Sequence, residues 1–335
     1  MTGTVAEPAQ LRADRGALEQ QLEHHRRELT GYCYRMLGSV HDAEDAVQEA
    51  MVRAWRGLDG FDGRASLRSW LFRIATNVCL TALDSRARRA LPIDLSQPGQ
   101  PVIEALGAPA AAREWVEPAP DDRIGIGSGL GGDPADLVVT RDSVRLAFVA
   151  ALQHLPPRQR AVLILREVLR WRADEVADLL DTTVASVNSA LQRARVRTAA
   201  LDAGTPLDPV DAELRDLLDR YVDAFERYDM EALLAVLHED ATQSMPPYAL
   251  WLRGNRDIAA WMVGPGRECR GSRMLPAAAA NGCPAFGQYR PSGPGGRHEP
   301  WSLHVVEVSG GRISGLTQFL DTSLYPLFGL PERLD

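Results

Sequence analysis

The chain has 335 residues, 45% hydrophobic and 24% charged, and a formal charge of −8. That length and apolar content suit two or three domains with real cores. Cys33, Cys79, Cys269 and Cys283 form no CxxC and share no ligand spacing with histidine, so the expectation is buried, reduced thiols and no metal site. No apolar run reaches membrane-spanning length and no signal sequence opens the chain. The expectation is a soluble, cytoplasmic protein with no cofactor, metal or membrane partner.

The net charge hides an uneven distribution. Acids outnumber arginines in 93–140 and 208–335, arginines outnumber acids in 151–200, and every base is arginine. Gly16–Leu37 is helical, with Leu18, Leu22, Leu29, Cys33 and Leu37 on its apolar face, and Gly38-Ser39 breaks it. The next helix, HDAEDAVQEAMVRAWRGL, takes Asp42 as its N-cap and buries Ala43, Val47, Ala50, Met51 and Ala54. Its polar face carries Asp45, Gln48, Glu49, Arg53 and Arg56. After a turn at Gly57–Gly63, a long helix buries Leu67, Leu71, Ile74, Val78 and Ala82. Arg68, Trp70, Arg73, Asn77 and Leu80 lie off that stripe, and Arg86, Arg88 and Arg89 follow it. Polar groups interleaved with an aromatic and flanked by arginines suit unstacked single-stranded nucleic acid.

Residues 93–140 are acidic and rich in Pro, Gly and Ala, and read as an extended, mobile connector. Leu155–Thr198 then reads as a helix-turn-helix. Pro156-Pro157 opens a buried helix, Ala173–Leu180 is short, Asp181-Thr182-Thr183 makes the turn, and a second helix starts near Val184. Val187, Ala190, Leu191 and Ala194 face inward. The other face offers Ser186, Asn188, Ser189, Gln192, Arg193, Arg195 and Arg197, with Thr183 at its start and no acid, a composition suited to the DNA major groove.

Beyond residue 208 the period changes. Asp211–Arg227, Met230–Leu237 and Arg256–Met262 are amphipathic helices. Strands are expected at 241–245, 249–253, 274–280, 285–290, 301–308 and 312–319, with a hairpin turn at Ser309-Gly310-Gly311. The pattern predicts an α+β cone whose curved sheet lines a pocket. Met245, Tyr248, Trp251, Trp261, Tyr289, Trp301, His304 and Gln318 are placed around it, and no aspartate stands at a convincing position to partner His304.

The segments YRMLGSVHDAEDAVQEAMVRAW, FDGRASLRSWLFRIATNVCLTAL and the helix-turn-helix after LPPRQRAVLILREV resemble regions 2 and 4 of extracytoplasmic-function (ECF) sigma factors, of the sigma-70 family. LLDRYVDAFERYDMEALLAVLHEDATQSM resembles the opening of a SnoaL-like domain of the nuclear-transport-factor-2-like fold. The resemblance implies four parts: an all-α region 2 over 14–92, a flexible acidic linker over 93–140, an all-α region 4 over 141–203, and an α+β SnoaL-like cone over 208–335. It implies that Asp42, Asp45, Gln48, Glu49 and Arg53 bind core RNA polymerase at the β′ clamp, with the β flap a second polymerase contact. It implies that Arg64, Trp70, Arg73, Thr76, Asn77 and Leu80 read and melt the −10 promoter element. Thr183 and the polar face from Ser186 to Arg197 would read the −35 element as duplex. On this reading the protein is not an enzyme, and its C-terminal domain is regulatory through contact with the sigma regions or the linker. The alternatives are a polymerase-independent repressor and an isomerase- or cyclase-type enzyme tethered to DNA.

Overall fold

Helix α1 (Arg26–Leu37) ends at Gly38, whose φ of 71° lies in the left-handed region that favours glycine. Ser39 then caps α2 (Val40–Gly57), its Oγ accepting the Asp42 amide at 3.1 Å. The cap thus lies three residues before the Asp42 expected, and Asp42 sits in the first turn, where its charge suits the helix dipole. Helix α3 (Leu67–Asp84) completes a three-helix group around Leu29, Tyr32, Cys33, Val47, Phe72 and Cys79, all fully or almost fully buried. These elements belong to a computed structural model that describes residues 20–58, 61, 65–84, 88–126, 143–199, 212–292 and 296–335. Expectations placed on 14–19, Arg64, 127–140, 200–203 and 208–211 fall outside the described residues.

In chain order follow α4 (Leu146–Gln153), α5 (Pro157–Leu163) with a π-turn at Ile164–Val168, α6 (Ala173–Leu179) and α7 (Val184–Ala199). The described residues form two compact units. The first contains α1–α3, residues 123–126 and the helices from 155 to 197; the second contains 88–122, α4 and the C-terminal domain. Within the first unit Arg160 is buried and donates to the Met36 and Leu155 carbonyls, tying α5 to the end of α1. Residues 123–126 lie against α1 so closely that a Cβ on Gly31 would meet the Ile124 carbonyl oxygen at 2.6 Å.

The second unit is built on helices α8 (Ala212–Arg227), α9 (Met230–Val236) and α10 (Asn255–Val263) over a six-stranded sheet. Its strands are β1 (Leu237–Ser244), β2 (Trp251–Arg253), β3 (Arg273–Ala280), β4 (Cys283–Pro291), β5 (His298–Ser309) and β6 (Arg312–Phe319). Their order is β2-β1-β6-β5-β4-β3, with only β1 and β6 parallel. Tyr221, Phe225, Leu233, Ile258 and Trp261 from the helices meet Met245, Phe286, Val306 and Leu316 from the sheet side. Each side chain so buried contributes about 1.5–3 kcal/mol. The Gly310-Gly311 turn has φ of 59° and 69°, the double positive φ of a two-residue hairpin.

The connector departs most from expectation. Residues 93–122 of it are held along the C-terminal domain rather than extended and free. Trp251 Nε1 donates to the Ser96 carbonyl at 2.9 Å, and Gly99 N to the Trp251 carbonyl at 2.8 Å. Ala110 N reaches Pro247 O, and Asp121 N reaches Ala279 O, each at 2.9 Å. Trp115 and Val116 are buried. Pro- and Ala-rich chain lacks internal ladders, so its backbone groups are free to pair with a neighbouring edge.

Candidate nucleic-acid interface and the interior of the C-terminal domain

Helix α7 is positioned by Val187, Leu191 and Ala194, which are buried, as are Val176 and Ala177 of α6. The turn between the two helices places Asp181 at φ 50°, and Thr182 N returns to Ala177 O at 2.9 Å. Thr183 Oγ1 accepts the Ser186 amide at 3.1 Å and so caps the helix. Ser186, Asn188, Ser189, Gln192, Arg193, Arg195 and Arg197 are all exposed. Arg193 Nη1 donates to Ser189 Oγ at 2.7 Å, which joins two of them at the middle of the face. Arg195 pairs with Glu167 at 2.7 Å and Arg197 donates to Gln159 at 3.1 Å, so both lean back toward α5 and the π-turn after it. Val196, missed from the sequence, is 70% exposed beside them.

On α3 the predicted residues divide. Arg73 and Asn77 are exposed, and Thr81 continues their row one turn on, unforeseen. Leu80 and Trp70 are half-buried, and the Trp70 ring packs on Phe61 at 5.0 Å. Thr76 is a correction: it is 1% exposed, bonds the Tyr32 hydroxyl at 2.8 Å and donates to the Phe72 carbonyl at 2.6 Å. It is an interior hydrogen-bonding residue and does not face a nucleic acid. Arg73 Nη2 donates to the Asp178 carbonyl of α6 at 2.7 Å. Trp171, just before α6, is 3% exposed, with its ring 5.1 Å from Phe72 and the Arg68 guanidinium 4.7 Å above it. Arg68 is held in turn by Glu28. The helix-turn-helix is therefore seated on α3.

On α2, Asp45, Gln48, Glu49 and Arg53 are exposed and Asp42 is half-buried. Arg53 pairs with Glu49 at 2.7 Å. Val52 and Trp55 share the exposed side, 37% and 46% exposed, and Trp55 was missed. The spacing 45, 48, 52, 55 is one helical face and carried the signal.

In the C-terminal domain the residues expected around a pocket divide: Met245, Trp251, Trp261, Tyr289, His304 and Gln318 are buried, Tyr248 is half-buried and Trp301 is exposed. Trp301 is the extra residue of a β-bulge, since Gln288 pairs with Ser302 and Tyr289 with Pro300. It points outward, 38% exposed, with Arg290 4.0 Å over its ring. Trp251 is engaged by the connector, and Tyr248 is half-buried in a turn, its N–H bonded to Met245 O at 2.9 Å. His304 lies in the interior of the domain. It is fully buried: Tyr221 OH meets Nδ1 at 2.8 Å, and Nε2 meets Gln288 Oε1 and Ser302 Oγ at 3.0 Å each. Because Gln288 Oε1 can only accept, Nε2 carries the proton and Nδ1 accepts from Tyr221. Burial pushes the imidazole down to about 3 and the Tyr221 hydroxyl far up, so both are neutral at pH 7.

This depressed value carries a pH signature. Between about 3 and 6.5 the unfolded chain binds a proton at His304 that the folded chain refuses, so stability rises with pH in that window. As pH falls through it, the domain is expected to lose about 1.4 kcal/mol per unit. His304→Gln should flatten that slope in denaturant titrations of the full chain; an unchanged slope would assign it elsewhere.

A helix-turn-helix with an acid-free exposed helix, beside a three-helix module with its own exposed polar faces, defines a two-module reader of DNA. Sigma-70 region 2 matches residues 22–89, Sigma-70 region 4 matches 145–197, and a SnoaL-like domain matches 218–316. The chain is similar to the ECF RNA polymerase sigma factor SigG of Mycobacterium tuberculosis, 46% identical over 342 residues, 98% of this chain and 87% of that protein. It is 29% identical to SigJ of the same bacterium over 250 residues, 73% and 72% of the two chains. The crystal structure of that SigJ covers 93% of this chain and 99% of its own, with a TM-score of 0.60 at 22% identity, and shows a shared fold. The chain belongs to the ECF RNA polymerase sigma factors, proteins that bind RNA polymerase and direct it to promoters. The repressor and tethered-enzyme alternatives are not favoured by these matches.

Proposed function

We propose that α7 reads the −35 element, α3 the −10 element, and the exposed side of α2 docks on core polymerase in the cytoplasm. The acid-free, fully exposed face of α7 is the observation that carries this reading. In a helix-turn-helix the N-terminal half of the second helix reaches base edges. That assigns base contacts to Ser186, Asn188, Ser189, Gln192 and Arg193, and phosphate contacts to Arg195 and Arg197. Arg73, Asn77 and Leu80, with Trp70, serve the −10 strand. Asp45, Gln48, Glu49 and Arg53 serve the β′ clamp, with Trp55 as an added anchor, since aromatic residues carry much of the energy at protein interfaces.

A form in which α3 and α6 touch through Arg73 and Asp178 is a closed one. The two promoter elements lie about two DNA turns apart, each turn about 34–36 Å, and modules in contact through Arg73 and Asp178 cannot occupy both. Promoter binding separates them. The C-terminal domain is regulatory: it grips the linker from Ser96 to Asp121 and the start of region 4 at Val144.

Run-off transcription with bacterial core polymerase tests the reading: transcript that depends on this chain supports it, and DNA binding without core support for initiation overturns it. Charge reversal at Asp45 and Glu49 together should weaken core binding at least tenfold while the helix-turn-helix still binds −35 duplex; unchanged core affinity would leave that face merely solvated. Arg193→Ala should weaken −35 binding by about 1–3 kcal/mol and relax base preference if it reads a base, or lower the salt slope by about one if it holds a phosphate. Affinity, preference and slope all unchanged would reverse the assigned orientation of α7.

A further inference from the structure

Residues 123–126 of the linker lie on region 2, a contact with no part in the promoter-reading roles above. The chain turns there with Gly125 at φ 83°, and Ile124 and Ile126 are 3% and 6% exposed. Gly31, in the middle of α1, makes the room. A Cβ on it would meet the Ile124 carbonyl oxygen at 2.6 Å, and a backbone oxygen cannot swing aside as a side chain can. The same point lies 3.1 Å from Nη1 of Arg35, which is buried and donates to the Gly31 carbonyl at 2.8 Å. One turn earlier on α1, Arg27 Cγ lies 3.8 Å from the Cβ position of Gly125. The helix itself gains nothing from Gly31, because glycine in a helix interior is less favourable than alanine. What the missing side chain serves is the close approach of the linker.

The first residue of this segment reaches α2. Arg123 Nη1 donates to Glu44 Oε1 at 3.2 Å. The pair is largely solvent-exposed, so it adds little to the hold, but it fixes where the segment stands. Glu44 shares a stripe of α2 with Gln48 and Trp55, one and three turns further on. That stripe is the edge of the face assigned above to core polymerase. The hold is also narrow. Burial of two isoleucines favours the seated segment, and the entropy of fixing so short a stretch of backbone opposes it on the same scale.

We propose that residues 123–126 are an autoinhibitory strap on region 2, seated in the notch at Gly31 and displaced when core polymerase docks on α2. While the strap is seated, Arg123 stands at the Glu44 end of the docking face, and a partner that takes Gln48 and Trp55 must move it. The linkage is reciprocal: whatever loosens the strap tightens polymerase binding by the same factor. This competition rests on the α2 docking proposed above.

Two measurements on the full chain test it: hydroxyl-radical labelling of the Ile124 and Ile126 side chains, and affinity for bacterial core polymerase. Gly31→Ala should raise the labelling of both isoleucines at least fivefold and strengthen core binding at least threefold, with α1 still helical. Ile124→Asn with Ile126→Asn unseats the strap without touching region 2 and should strengthen core binding as much, which keeps the test decisive if Gly31→Ala disturbs Arg35. Labelling that Gly31→Ala leaves unchanged would overturn the notch, and unchanged core affinity in the double variant would overturn the competition. Charge reversal at Asp45 and Glu49 tells the two readings apart. If it weakens core binding while the strap variants change nothing, the strap alone falls. If it changes nothing while the strap variants strengthen core binding, the α2 docking face falls and the strap stands.

Discussion

Trp171→Ala is expected to release the helix-turn-helix from α3 and to raise the population of the open, promoter-competent form. The indole is 3% exposed and packs against Phe72 at 5.1 Å under the Arg68 guanidinium. Truncating a buried tryptophan costs about 3–5 kcal/mol, and the ring pair and the cation–π contact contribute about 0.5–1.5 and 0.5–2 kcal/mol of that. The core of the helix-turn-helix itself is made by Val176, Ala177, Val187, Leu191 and Ala194 and does not need the indole. The loss therefore falls on the seat between modules. Each 1.4 kcal/mol shifts a two-state equilibrium tenfold, so even half the cost moves the open fraction by more than tenfold. Energy transfer between dyes on Gln48 and Gln192 should fall, and −10 binding should strengthen as Arg73 leaves the Asp178 carbonyl. Transfer that stays at the wild-type value with α7 still folded would remove Trp171 as the latch.

How far the sequence discloses this arrangement depends on the range of each interaction. The helix-turn-helix is legible because its determinants are local: Pro156-Pro157 at a helix start, small Ala177 at the crossing, Asp181 in the turn. The face of α2 is legible for the same reason. Thr76 misleads because periodicity sees only a polar residue on a helix, while its partner Tyr32 lies 44 residues away. Trp301 lies three residues before His304, so plain alternation along β5 already sets the two on opposite faces, and as the extra residue of the bulge it stays outward. The partners of His304 are neutral groups, Gln288 and Ser302 set beside it by sheet register and Tyr221 by the packing of α8 on the sheet, none of which a search for a carboxylate in the sequence can find. The linker is the clearest case. Its composition reads as mobile, and its order comes from hydrogen bonds to residues more than a hundred positions away.

Asn281 anchors the far end of the described linker, and Asn281→Ala is expected to free that end. Asn281 sits with Gly282 in the β3–β4 turn at φ 55° and 77°, and its side chain is fully buried. Its Oδ1 accepts from Ala119 N at 2.8 Å and its Nδ2 donates to Val144 O at 2.5 Å. Asp121 Oδ1 accepts from Gly282 N at 2.8 Å beside them. One amide thus ties together the two ends of the connector between Ala119 and Val144, and alanine leaves both backbone groups unmet. At about 1–3 kcal/mol for each buried group left without a partner, the clasp should weaken by about 2–6 kcal/mol. The sheet itself should stand, because its core of Leu, Phe and Trp is untouched. Hydrogen exchange should accelerate at Ala119 and Asp121 by at least thirtyfold, with the β5 and β6 amides protected as before. If the clasp is what restrains the linker, transcription with core polymerase should rise in the same variant. Exchange at Ala119 that does not change would mean that Trp115, Val116 and the Trp251 contacts hold the linker without it.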